Sequence, residues 1–93
     1  MHQKLTAAVL NLCEEEKVYR KENILAIVLQ LSTNSGYTNA TTLWLALKAD
    51  GNKISIASVY RILHWLTLKG LILRKLNECT QVNEYRVDPE YQQ

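Results

Sequence analysis

The chain has 93 residues, of which 47% are hydrophobic and 22% charged, and a formal net charge of +2. That length and apolar share predict one globular domain with a single small core, and exclude two domains or extensive disorder. No apolar run approaches membrane-spanning length and the opening Met1-His2-Gln3-Lys4 is no signal peptide, so a cytoplasmic protein without a membrane partner is expected.

Leu5, Ala8, Val9 and Leu12 recur at helical spacing and predict a first helix over about residues 3–16. Glu14, Glu15 and Glu16 crowd its end, where the helix dipole disfavours anions, so that turn is expected to fray. Ile24, Leu25, Ile27, Val28 and Leu31 predict a second helix over about 21–32, apolar around most of its girth and expected to be the most buried. Residues 32–37 have the composition of a loop. Thr38 or Asn39 then caps a third helix, about 40–49, which buries Leu43 and Leu47 and part of Trp44. Asp50, Gly51 and Asn52 form a turn.

The next stretch is the most informative. Ser55 caps a helix over about 55–69, in which Val59, Ile62, Leu63 and Leu66 make one apolar stripe. Lys69 and Gly70 supply a C-terminal cation and a left-handed stop. A strand from Leu71 to Leu76, a tip over 77–81 and a returning strand over 82–87 make a hairpin, which Pro89 ends. Alternation puts Asn83, Tyr85 and Val87 inward and Val82, Glu84 and Arg86 outward. The order α-α-α-α-β-β predicts a mainly α fold with a small β-hairpin at 71–87, one winged helix-turn-helix domain over residues 1–93. Charge supports a DNA-binding surface: residues 48–75 carry a net +5, while residues 1–47 sum to zero and residues 76–93 to −3.

Over roughly residues 21–87 the chain resembles the DNA-binding domain of the ferric uptake regulator (Fur) family. The resemblance rests on Ile54-Ser55-Ile56-Ala57-Ser58-Val59-Tyr60-Arg61-Ile62-Leu63 and Lys69-Gly70-Leu71-Ile72, similar to that family's recognition helix and its exit. Ile24-Leu25 and the run Thr41 to Lys48 before Asp50-Gly51 resemble its preceding helices. The resemblance implies that Tyr60 contacts a thymine edge and Arg61 a neighbouring phosphate. Two departures stand out. Full-length members continue into a dimerisation domain with His-rich metal sites and often Cys-x-x-Cys pairs, whereas this chain reaches Gln93 with His2, His64 and no such pair. Metal sensing of the family type is therefore not expected, nor is any cofactor. The Arg and the Pro that usually mark the second helix are Lys21 and Arg20, a swap that loses bidentate phosphate geometry.

The candidate DNA-binding residues are Lys53, Ser55, Ala57, Ser58, Tyr60, Arg61, His64, Arg74 and Lys75. Ser55 has a capping role, to which phosphate contact from the helix N-terminus would add. Ala57 and Ser58 are small enough for a phosphate or base edge to approach. Lys53, Arg74 and Lys75 suit non-specific phosphate contacts, and alternation points Arg74 and Lys75 to opposite faces. Against this, Tyr60 could cover the core edge, while Arg61 and His64 could simply be solvated. On a helical wheel Trp65 and Leu68 fall opposite Val59, Ile62 and Leu66. They either pack under the first helix or the C-terminal tail, or form a self-association face. Cys13 is expected to pack within its helix, and Cys79 to be an exposed thiol at the hairpin tip. No Ser/His/Asp, Cys/His or paired-carboxylate arrangement stands out, and there is no glycine-rich phosphate loop, so an enzyme is not expected.

The sequence therefore predicts a Fur-like winged-helix transcription regulator that binds double-stranded DNA. Its recognition helix would lie in the major groove and its hairpin over the backbone. One module covers only about 600–1,000 Å² of DNA, so tight binding calls for a homodimer. The alternative is a winged-helix protein–protein interaction module that docks through Trp65 and Leu68 and does not bind DNA.

Overall fold

The computed structural model of the protein describes residues 7–9, 11, 21–33 and 36–91. Residues 7–9 and 11 are helical (α1), and Val9 is fully buried. The expectations for Cys13 and for Glu14, Glu15 and Glu16 lie outside the described residues. Helix α2 (Lys21–Ser32) buries Ile24, Ile27, Val28 and Leu31. It is less enclosed than its composition predicts: Leu25 is half-buried and Leu29 is 62% exposed, so one flank faces outward. Its last turn is tied by side chains, with the Ser32 hydroxyl donating to the Val28 carbonyl at 2.8 Å and the Thr33 hydroxyl to the Gln30 carbonyl at 2.7 Å.

A two-residue strand, β1 (Thr38–Asn39), precedes α3 (Ala40–Ala49). No local pattern announces β1, because its partner lies far along the chain: Thr38 pairs with Tyr85 and Asn39 with Glu84. Asn39 also caps α3. Its backbone is extended, and its side-chain oxygen accepts the Thr42 N–H at 2.7 Å. Ala40, Leu43 and Leu47 face the core. Trp44 is half-buried; its indole N–H donates to the Ile54 carbonyl at 2.9 Å, and the Lys48 ammonium lies 4.6 Å from its ring centroid. That bond holds the chain just ahead of the next helix against α3, and so helps to fix where that helix starts.

Helix α4 (Ile56–Leu68) is bounded by the residues that the sequence marks as its ends. Ser55 accepts the Ser58 N–H at 3.1 Å, and its hydroxyl lies 3.0 Å from the Ser58 hydroxyl. At the other end Gly70 has φ +76°, its N–H donates to the Thr67 carbonyl, and the Leu71 N–H reaches back to the Leu66 carbonyl at 3.1 Å. This is the paired hydrogen-bond pattern of a left-handed helix stop, with Leu66 and Leu71 both buried beside it. Nothing lies within 4 Å of where a Gly70 Cβ would stand, so a side chain there would be strained by the backbone alone. Gly70→Ala should therefore lower stability by about 1 kcal/mol without changing the fold, as read by urea unfolding. No loss would show that the stop tolerates an L-residue.

Strands β2 (Ile72–Asn77) and β3 (Val82–Val87) form an antiparallel hairpin, and the sheet order is β1-β3-β2. The register pairs Ile72 with Val87, Arg74 with Tyr85 and Lys75 with Glu84. Tyr85 and Val87 are buried as alternation predicts, whereas Asn83, nearer the tip, is exposed. At the tip the Asn77 side-chain oxygen accepts the Cys79 and Thr80 N–H groups, and Gln81 takes the left-handed conformation at φ 60°. A single core joins the elements, with Ile24, Ile27 and Leu31 of α2, Leu43 and Leu47 of α3, Val59, Ile62, Leu63 and Leu66 of α4, and Ile72 and Val87 of the sheet.

Candidate nucleic-acid interface

The periodicity of α4 divides its surface. Val59, Ile62, Leu63, Trp65 and Leu66 are buried, while Ala57, Tyr60, Arg61, His64 and Leu68 are exposed. Ala57, Arg61, His64 and Leu68 follow one another at three- and four-residue spacing and so form a continuous outward stripe, with Tyr60 one turn before His64 at its edge. No residue of α4 is acidic. Tyr60 is 49% exposed and presents its ring to solvent.

Trp65 corrects the wheel reading. It is 8% exposed and belongs to the core cluster. The buried arc of α4 is wider than the stripe of Val59, Ile62, Leu63 and Leu66: the helix packs against other helices and also leads into the sheet, and its arc takes in Trp65. Leu68, at 70% exposed, does face outward, at the C-terminal end of the stripe that carries Arg61 and His64. The pair Trp65 and Leu68 is therefore not one surface.

The N-terminal end of α4 has the properties of an anion site. The first intrahelical bond runs from the Val59 N–H to the Ser55 carbonyl, and the Ser55 side chain takes the Ser58 N–H. The Ile56 and Ala57 N–H groups belong to the turn whose donors a helix leaves open. Lys53 is exposed just before them, and Ser58 is half-buried with its hydroxyl against Ser55. The Ser55 hydroxyl accepts the Ser58 N–H and donates its own proton to the Ser58 hydroxyl, so it has no donor left for a phosphate in this arrangement.

The hairpin divides its two cations as alternation predicts. Arg74 stands opposite Tyr85 on the face that Ile72 and Val87 bury, and Lys75 stands opposite Glu84 on the other face. The Lys75 ammonium lies 4.5 Å from the Tyr37 ring centroid, and the Arg86 guanidinium lies 5.8 Å from the same ring. Arg74 faces the α4 side. The structure thus gathers Lys53, Ser55, Ala57, Ser58, Tyr60, Arg61 and His64 on and around one helix face, brings Arg74 toward it, and sets Lys75 apart with Tyr37 and Arg86. Tyr37 and Arg86 carry no sequence signal for this grouping, since it depends on the pairing of β1 with β3.

Tyr85, opposite Arg74, belongs to the core. It is 5% exposed. Burial pushes its phenol above the usual range; the nearby Arg74 guanidinium opposes that rise and Tyr60 adds to it. Because the folded protein holds this proton more tightly than the unfolded chain, its contribution to stability is fully present below about pH 10 and is lost as the pH rises further. Denaturant midpoints should therefore fall above about pH 10, and Tyr85→Phe should reduce that fall. Equal falls in both proteins would mean that Tyr85 is solvated.

Among the described residues no group of three His, Cys, Asp or Glu side chains comes together in a way that could hold a metal ion. His64 is exposed on α4, and Cys79 is a free, exposed thiol at the hairpin tip. No helix among the described residues is long and apolar enough to cross a membrane.

A sequence model described as the ferric uptake regulator family matches residues 15–92. FurB from M. tuberculosis, described as a zinc uptake regulator, superposes with a TM-score of 0.67 at 27% identity, over 71% of this chain and 50% of that one. PerR from Streptococcus pyogenes, described in terms of peroxide sensing and gene regulation, superposes with a TM-score of 0.78 at 19% identity, over 90% of this chain and 57% of that one. The chain thus spans 50% to 57% of the length of these two solved structures. A search of curated proteins gave no match.

Proposed function

The chain belongs to the ferric uptake regulator family, a family of DNA-binding transcription regulators with a winged helix, and from that premise we propose that it binds duplex DNA through the exposed face of α4. The observation that carries this reading is the outward stripe of α4, which presents Ala57, Tyr60, Arg61 and His64 with no acidic side chain on the helix. In this reading Tyr60 reads a base edge and Arg61 holds a phosphate. Lys53 and the open N–H groups at the start of α4 take a further phosphate, with Ser55 and Ser58 shaping that turn. Arg74 adds a phosphate contact from the hairpin. Lys75 lies on the opposite sheet face and contributes less.

We also propose that operator binding uses two copies of the chain, since one module covers about 600–1,000 Å² and tight binding needs more. With Trp65 in the core, Leu68 is the remaining candidate of the pair for a contact between copies. The alternative of a protein-docking module loses its larger anchor to the core for the same reason. The direct test is binding of random-sequence duplex across a series of salt concentrations. The reading expects measurable affinity at low salt that falls steeply as salt rises, and absence of binding at low salt would contradict it.

A further inference from the structure

The part of the hairpin that carries Arg74 and Lys75 is flanked by β1. Two rungs cross all three strands, Thr38–Tyr85–Arg74 and Asn39–Glu84–Lys75. Tyr37, the residue before β1, is half-buried beside cations from both hairpin strands. The Lys75 ammonium of β2 lies 4.5 Å from its ring centroid and the Arg86 guanidinium of β3 lies 5.8 Å from it, both within the range of cation–ring attraction. Lys75 stands opposite Glu84, but its ammonium reaches across β3 to the ring, while the Glu84 carboxylate accepts the Asn77 side-chain N–H at 3.1 Å.

The contacts continue from there to α4. Asn39 pairs with Glu84 in the sheet and also caps α3, accepting the Thr42 N–H at 2.7 Å. Trp44 of α3 donates to the Ile54 carbonyl at 2.9 Å, one residue before the Ser55 cap of α4. A series of direct contacts thus runs from the hairpin through Tyr37, β1 and α3 to the start of α4. We propose that Tyr37 is a positioning residue: clasped by Lys75 and Arg86, it sets the angle of the hairpin to α4, so that Arg74 and the start of α4 hold their phosphates together. Lys75 then serves DNA binding by gripping Tyr37 and not by touching a phosphate. The physical reason is how little else ties this part of the hairpin down. Ile72, Tyr85 and Val87 anchor its core-facing side, whereas Arg74, Lys75 and Leu76 are exposed and β1 is only two residues long. Groups held at a fixed separation lose less freedom when they bind, so a loosened hairpin gives up its phosphate contact first.

This inference rests on the DNA-binding reading, and its test separates the two. In the free protein, residual dipolar couplings of the backbone N–H groups report the orientation of β2 and β3 relative to α4. They should change in Tyr37→Leu and stay as in the wild type in Tyr37→Phe, which keeps the ring. In random-duplex binding, Tyr37→Leu should lower the salt slope by about one, as Arg74→Gln does, and Tyr37→Phe should leave it unchanged. The two losses should not add: Tyr37→Leu with Arg74→Gln should show the slope of Arg74→Gln alone. Lys75→Gln, at an exposed position, carries the test if Tyr37→Leu does not fold. It should lower the slope no further when combined with Arg74→Gln, whereas a phosphate contact of its own would give additive losses. Couplings unchanged in Tyr37→Leu, or losses that add, overturn this proposal and leave the DNA reading standing. No duplex binding by the wild type overturns the DNA reading and this proposal with it.

Discussion

Trp65→Ala should lower stability by about 3–5 kcal/mol, the cost of removing a large aromatic side chain from a packed interior. Trp65 is 8% exposed and shares the core with Val59, Ile62 and Leu66, so its loss leaves a cavity that the surrounding helices cannot close fully. A domain of this length is stabilised by roughly 5–15 kcal/mol in total, so the variant should be marginal at room temperature. Leu68→Gln, one turn further along the same helix, should change stability by less than about 0.5 kcal/mol, because Leu68 is 70% exposed. Urea unfolding of the two variants side by side separates a core residue from a surface one. A small effect at Trp65 would return it to the surface and revive the reading of a paired docking face.

The second large effect concerns binding. Arg61→Ala should weaken association with all duplexes and reduce the salt slope by about one, the signature of one lost phosphate contact. Stability should hardly change, since Arg61 is exposed on α4 and away from the buried arc. Tyr60→Phe should behave differently. Loss of a hydroxyl that reads a base edge costs about 1–3 kcal/mol at one base position and leaves the salt slope alone. The two variants thus divide affinity from selectivity. A uniform loss for Tyr60→Phe across sequences would move its hydroxyl to the backbone.

The legible part of the fold was whatever is encoded locally. Asn39, Ser55 and Gly70 bound helices by hydrogen bonds that span only a few residues, so α3 and the ends of α4 follow from the residues themselves. Alternation along the hairpin separates Arg74 from Lys75 and turns Tyr85 inward, because a strand's period of two holds whatever it packs against. What was not legible depends on residues distant in sequence. Thr38 and Asn39 become a strand only through Tyr85 and Glu84. Leu29 faces outward although α2 is apolar on nearly every side, since composition does not say which flank lacks a neighbour. The burial of Trp65 is not legible because a helical wheel gives the centre of a buried face but not its width, which the packing of other elements sets. The same holds for the site. The stripe of Ala57, Tyr60, Arg61 and His64 can be read from α4 alone, whereas the grouping of Lys75 and Arg86 about Tyr37 exists only once β1 joins the hairpin.

Duplex binding as proposed rests on the cations of α4 and its flanks. The most direct measurement compares the wild type with the triple variant Lys53→Gln, Arg61→Gln, Arg74→Gln in random-duplex binding across a salt series, with helicity checked by circular dichroism. All three side chains are exposed, so the variant should fold. Binding should be weaker at every salt concentration, with a slope shallower by roughly three, close to one unit for each phosphate contact removed. A folded triple variant that binds with the affinity and slope of the wild type would contradict it.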